Sequence, residues 1–202
     1  MTIRIPVDPD KYYHIFNHAN GKESLFINEG NYTFFLKKYE YYISPIADSF
    51  AYCLLPNHFH FAVRIKSHDE IHKRMLMVNS KLKETAYVSK QFSNLFSCYT
   101  QSFNKQRGRM GSLFMQAFKR KQVDSDDYFR FLIHYIHYNP VHHELSDSIR
   151  KWKFSSFNAF LNNKKTSNLN REEVIAYFDD IENFLVYHSR GIDNDMILDL
   201  EL

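Results

Sequence analysis

The chain has little cysteine: Cys53 and Cys98 are the only two in 202 residues, and they lack the paired spacing of a disulfide framework or a thiolate metal site. Glycine is scarce too, with five residues and no glycine-rich phosphate-cradling loop, which argues against a P-loop or dinucleotide-binding fold. No run approaches the roughly 18 apolar residues of a membrane helix. The opening MTIRIPVDPDKYY is too polar for a signal peptide, so a soluble cytoplasmic protein with no membrane partner is expected. No internal repeat is present. Acidic residues are missing from residues 85–123, where Lys90, Lys105, Arg107, Arg109, Lys119, Arg120 and Lys121 fall. From Glu172 onward the sign reverses, with nine acidic residues against Arg190. A basic centre beside an acidic end implies a polyanion-facing surface, although a solvated face would carry the same charges.

What is abundant is aromatic. Nineteen Phe, 14 Tyr and one Trp make up 17% of the chain, which suits a base-stacking surface and an aromatic core equally well. The length allows one sizeable core. Residues 11–19 (KYYHIFNHA) read as a strand ending in an Asn20-Gly21 turn, and apolar spacing at Phe34, Phe35, Tyr39 and Tyr42 reads as a helix stopped near Pro45. Two extended runs follow, at 48–55 and 58–65. Residues 69–95 read as one helix with Met75, Leu76, Val78 and Leu82 buried. Residues 104–114 read as a loop or hairpin tip and QAFKRKQV as a short strand. Ser125, Asp126 and Asp127 open a helix expected to stop before Pro140. LNNKKTSNLN reads as a polar linker and 171–188 as a final amphipathic helix. The order predicts an α+β fold with a central antiparallel sheet, helices on one face and a helical C-terminal extension. The division expected is a catalytic domain over 1–162 and an acidic extension over 163–202.

The stretch LLPNHFHF carries the first chemical signal. In a strand, alternate side chains share a face, so His58, His60, Ala62 and Arg64 point one way and Phe59, Phe61, Val63 and Ile65 the other. Two imidazoles side by side can share a divalent cation, although structural histidines give the same pattern. The stretch HYIHYNPVHH supplies candidates for a third ligand and a nucleophile. Tyr135 and Asn139, four apart, lie on one helical face. A tyrosine beside a cation held by His58, His60 and Asn139 could attack phosphorus. A core tyrosine is the plainer reading, and Tyr138 and His137 are rivals on the same helix. With nitrogen and oxygen donors, Mg²⁺ or Mn²⁺ is favoured over structural zinc.

Together these segments resemble the single-tyrosine HUH transposases, and within them the REP-associated tyrosine transposase-like branch. The resemblance lies in YYHIFNHANGKESLF, LLPNHFHFAV, RMGSLFMQAFKRKQV, FRFLIHYIHYNPVHHEL and WKFSSFNAFL, over roughly residues 10–162. It implies a ferredoxin- or RRM-like sheet, His58 and His60 as the HUH pair, Tyr135 as the nucleophile and Asn139 as the third ligand. It also implies cleavage of single-stranded DNA, with a hairpin near the cut, to a 5′-phosphotyrosine and a free 3′-OH. The chain departs from the pattern at His18-Ala19, where the family often has Arg-Gly, at Val141-His142-His143, and at MQAFK, which lacks an arginine before the Phe.

The function expected is therefore a sequence-specific single-stranded DNA endonuclease and strand transferase. Arg64, Lys105, Arg107, Arg109, Lys119, Arg120 and Lys121 are the expected DNA contacts. A non-catalytic single-strand-binding module, such as a domesticated transposase, is the alternative. A hydrolase of small phosphoesters is disfavoured by the lack of an Asp/Glu cluster. Monomer and homodimer both remain open.

Overall fold

The computed structural model describes residues 6–115, 118–162 and 166–192. The last ten residues of the acidic extension, and Gln116 and Ala117 at the start of the QAFKRKQV strand, lie outside the described residues.

Four strands form one antiparallel sheet: β1 (Tyr12–His18), β2 (Ala47–Leu54), β3 (His58–Ile65) and β4 (Lys119–Val123), in the spatial order β2-β3-β1-β4. Helix α1 (Glu29–Tyr42) links β1 to β2, and α2 (His68–Met77) and α3 (Glu84–Arg107) link β3 to β4. This is the order of the ferredoxin-like sheet expected from the sequence. Helix α4 (Asp126–His142) and the short α5 (Phe157–Phe160), α6 (Arg171–Ala176) and α7 (Ile181–His188) follow.

The alternation in HFHFAVRI builds two cores. Phe59, Phe61, Val63 and Ile65 face α1–α3 with Tyr13 and Ile15, the helix-covered face that was expected. Ala62 faces the other way with Phe50, Ala51 and Cys53 of β2, and α4 packs over them through Leu132, Ile133, Tyr135 and Ile136. A bulge between Ser49 and Ala51 puts Phe50 on the same side as Ala51. Helix α4 thus lies across the histidine face, as the sequence predicts, and α5–α7 join it there. Because both faces are covered, the inner strands β1 and β3 are buried almost throughout.

Local signals explain most boundaries. Asn28 caps α1 by accepting from the Asn31 N–H, and Ser125 caps α4 by accepting from the Tyr128 N–H. Five expectations need correction. The 69–95 helix is two helices: α2 ends at Met77, and α3 runs on to Arg107, where Gly108 stops it at φ 60°. Lys105 and Arg107 therefore lie in the last turn of α3 and not in a loop. With α2 that short, its buried stripe is Ile71 and Met75, and Leu76, Val78 and Leu82 are exposed. Helix α4 continues through Pro140 to His142, because a proline this near the C-terminus interrupts little of the ladder. The expected 171–188 helix breaks at Asp179 (φ 69°), and Asp180 caps α7 through the Asn183 N–H. Among the described residues, no helix is long and apolar enough to cross a membrane.

Candidate active site

The β2–β3 turn and α4 bring the expected residues together in one protomer. His58 and His60 are adjacent on the α4-facing side of β3, with ring centroids 5.1 Å apart at 86°. The Tyr135 ring packs edge-on against His60, 5.3 Å away at 81°. One helical turn on, the Asn139 amide donates to the Tyr135 carbonyl (3.0 Å), which turns Oδ1 toward His58 Nε2 at 3.4 Å. Tyr138 points elsewhere, with its ring against His134, and His137 bonds Ser156 and His188 on another side of the helix.

The protonation of His58 is over-determined. Burial pushes its pKa down to about 3, helped by repulsion from His18 and His143, so the ring is neutral and carries one proton. Both ring nitrogens face amide oxygens: Nδ1 lies 2.8 Å from Asn57 Oδ1 and Nε2 3.4 Å from Asn139 Oδ1. One proton satisfies only one contact. With the proton on Nδ1, the Nε2 lone pair is directed at Asn139 Oδ1, an arrangement that a cation relieves; the other tautomer donates to Asn139 and leaves Asn57 Oδ1 unpaired. His60 is also held neutral, chiefly by burial and then by His14, and its Nε2 is buried without a hydrogen-bond partner. Neutral imidazoles with open nitrogens are what a metal requires. The residues therefore fit a divalent cation held by His58, His60 and Asn139. Among the described residues, no three His, Cys, Asp or Glu side chains are grouped to hold a metal, so the amide oxygen is needed to complete the set.

Sequence reasoning missed the residues around this centre. His18 stacks on His58 (4.6 Å, 12°), and His143 meets it edge-on at 4.6 Å. His14 lies 2.9 Å from His60 Nδ1. The signal was present in YYHIFNH: His14, Phe16 and His18 alternate onto the face that His58 and His60 share, once β1 is known to pair with β3.

The expected DNA contacts divide. Lys119 and Lys121 on β4 are exposed and share the histidine face, opposite Phe16 and His14. Arg120 points to the other side, over Phe118. Lys105 and Arg107 are exposed at the end of α3. Arg64 is corrected. It lies on the histidine face, but its guanidinium bridges Asp48 and Glu173, each at 2.9 Å, and donates to the Tyr12 hydroxyl. The sequence did not show that α6 returns Glu173 to this strand. Arg109 is likewise held, by Asn104 and Glu23 at 2.7 Å each, and braces the loop after α3.

Comparison with known proteins finds two relatives of the same kind. Over 112 residues the chain is 26% identical to the "Putative REP-associated tyrosine transposase" of Haemophilus influenzae. That match covers 54% of this chain and 58% of the relative, so little more than half of the relative's length is represented. The solved structure of a REP-associated tyrosine transposase bound to a REP hairpin superposes with a TM-score of 0.58 at 15% identity, covering 83% of this chain and 89% of that one. No protein-family model matches. The resemblance to the REP-associated tyrosine transposases is thus shown in sequence over half the chain and in fold over most of it.

Proposed function

We propose that this protein nicks and rejoins single-stranded DNA, with Tyr135 as nucleophile and His58, His60 and Asn139 as the donors for one Mg²⁺ or Mn²⁺ ion. The observation that carries the reading is the convergence of Tyr135, two buried neutral histidines and the Asn139 amide oxygen, which lies 3.4 Å from His58 Nε2. An isolated fold does not specify chemistry; this combination of side chains is what supports the reading.

The Tyr135 hydroxyl forms a bond to phosphorus as the P–O3′ bond breaks. The phenol loses its proton and the departing 3′ oxygen gains one, leaving a 5′-phosphotyrosine and a free 3′-OH. Attack by the 3′-OH of a second strand end reverses the step and joins strands. A tyrosine hydroxyl ordinarily has a pKa near ~10 and is a weak nucleophile at neutral pH. The cation, when bound, draws charge off the phosphate oxygens. His58, fixed by Asn57, and Asn139, fixed by the Tyr135 carbonyl, hold their donor atoms in place without rearrangement. Tyr135 and Asn139 are fully buried, so an entering phosphodiester displaces side chains at the mouth of the site.

The substrate follows from the neighbour, which is bound to a REP hairpin. By that likeness the proposed target is a single strand with a hairpin beside the cut. Lys119 and Lys121 would position its phosphates. A binding module without chemistry would leave the orphaned His60 Nε2 unexplained.

Replacing His60 by Ala tests the reading. Cleavage of a hairpin-flanked single strand in Mn²⁺ should fall at least ~100-fold, while binding of the same strand, spread over many basic contacts, should change little. Equal loss of binding and cleavage would instead make the histidine pair a structural element.

A further inference from the structure

We infer that His14 is a positioning residue: its imidazole fixes the tautomer and orientation of His60 so that Nε2 of His60 is presented bare to the cation. The inference rests on the proposed cation site, and it concerns a residue outside the donor set.

His14 comes from β1, diagonal to His60 across the β1–β3 pair. Its ring lies nearly parallel to that of His60 (5.1 Å, 20°), is backed by Phe16 on β1 (4.5 Å, 19°), and meets the Tyr135 ring edge-on at 6.0 Å. The ring is fully buried, and its Nε2 lies 2.9 Å from His60 Nδ1. A nitrogen–nitrogen contact of that length holds one proton. If His60 donates, its Nε2 keeps a lone pair. If His14 donates, the other hydrogen sits on His60 Nε2; if His60 donates, it sits on His14 Nδ1. Neither atom has a hydrogen-bond partner, so the cation tips the balance. Only donation by His60 makes it a ligand, and His14 supplies the acceptor that this tautomer needs. The 2.9 Å contact between nearly parallel rings places His14 Nε2 to accept from His60 Nδ1. Helix α4 closes over the pair, and both rings are buried. Metal-binding histidines commonly use their second nitrogen in this way, and losing the outer partner costs about 10- to 100-fold in metal affinity.

The test compares His14→Gln with His14→Phe, since the Gln carbonyl reaches about as far as the imidazole Nε2 and can accept from His60 Nδ1, whereas Phe fills the space without accepting. Mn²⁺ affinity is read by electron paramagnetic resonance of the free ion on protein shown to be folded by circular dichroism. Expected is near wild-type affinity for Gln and a loss of about 10- to 100-fold for Phe. Wild-type affinity in His14→Phe, or equal loss in both variants, overturns the inference. A His58→Ala control separates the two levels. If it leaves Mn²⁺ binding unchanged, the cation site itself is wrong. If it abolishes binding while His14→Phe does not, only the role of His14 fails. Should His14→Phe not fold, ¹⁵N-histidine NMR of the wild type saturated with Mg²⁺ decides. A proton on His60 Nδ1 is expected, and a proton on His14 Nε2 shared with a bare His60 Nδ1 overturns the inference.

Discussion

Six of the eleven histidines are buried, and they form two groups with different work. His14, His58 and His60 line the candidate site. His134, His137 and His188 tie α4 to α7: His137 bonds His188 (3.0 Å) and Ser156 (2.8 Å), and His188 Nδ1 donates to the Phe184 carbonyl (2.8 Å). Burial lowers all three of the second group, His134 to about 4, His188 to about 3, and His137 well below the usual value. An unfolded histidine titrates near ~6.5. Below that pH the unfolded chain therefore binds protons the folded chain refuses, and stability falls as pH drops toward the folded values. Each such group contributes at most ~1.4 kcal/mol per pH unit. His14, His58 and His60 are lowered in the same way, so the six buried rings together should cost on the order of 8 kcal/mol between pH 7 and 5.5, the second group supplying about half. Urea unfolding in EDTA at the two pH values measures this, and a flat dependence would mean that these rings are solvated. At this scale strand alternation and a four-residue helical step made His58, His60, Tyr135 and Asn139 candidates, while the preference for Tyr135 over Tyr138 and His137 came from the family resemblance. His14 was not among them, since its role appears only when β1 is paired with β3.

The elements were legible where a cap was read and illegible where tertiary packing decided. Ser125 announced α4, but Pro140 did not end it, nothing local separated α2 from α3, and the Asp180 cap that opens α7 was overlooked. The sequence marks 171–188 as amphipathic without saying what its apolar side meets. It meets the second core, which Phe178 and Phe184 share with Phe157 and Phe160. Phe184 is fully buried, with its ring 3.9 Å from His188 and 5.1 Å from Phe160. Phe184→Ala should destabilise the protein by about 3–5 kcal/mol in chemical unfolding. Loss of α7 also removes the His188 partner of His137, so strand cleavage should fall with stability even though α7 contributes no side chain to the donor set. A change below about 1 kcal/mol would show α7 to be peripheral.

For the whole molecule, the sheet order and the α4 covering were legible from element order, while the charge map was legible only in part. The acid-free segment marks basic residues without saying which face they occupy, and folding sends Arg120 to the opposite face while an ion pair holds Arg109. Lys119 and Lys121 remain on the site face, at the exposed β4 edge. Replacing both by Ala should weaken single-strand binding about equally for all sequences. It should also reduce the slope of log affinity against log salt by about 1.4, at ~0.7 for each phosphate that is no longer neutralised. An unchanged slope measured by fluorescence anisotropy would place the DNA elsewhere.

The central claim is that Tyr135 attacks phosphorus, and a covalent protein–DNA adduct reads it directly. Wild type, Tyr135→Phe and Tyr138→Phe are incubated in Mn²⁺ with an end-labelled single strand carrying a hairpin and taken from the DNA flanking the gene, then resolved on a denaturing gel. Tyr135→Phe removes only a hydroxyl and leaves the ring packed on His60, so it should fold and bind DNA yet give no adduct. Wild type and Tyr138→Phe should both give one. An adduct that persists in Tyr135→Phe and disappears in Tyr138→Phe would contradict the account.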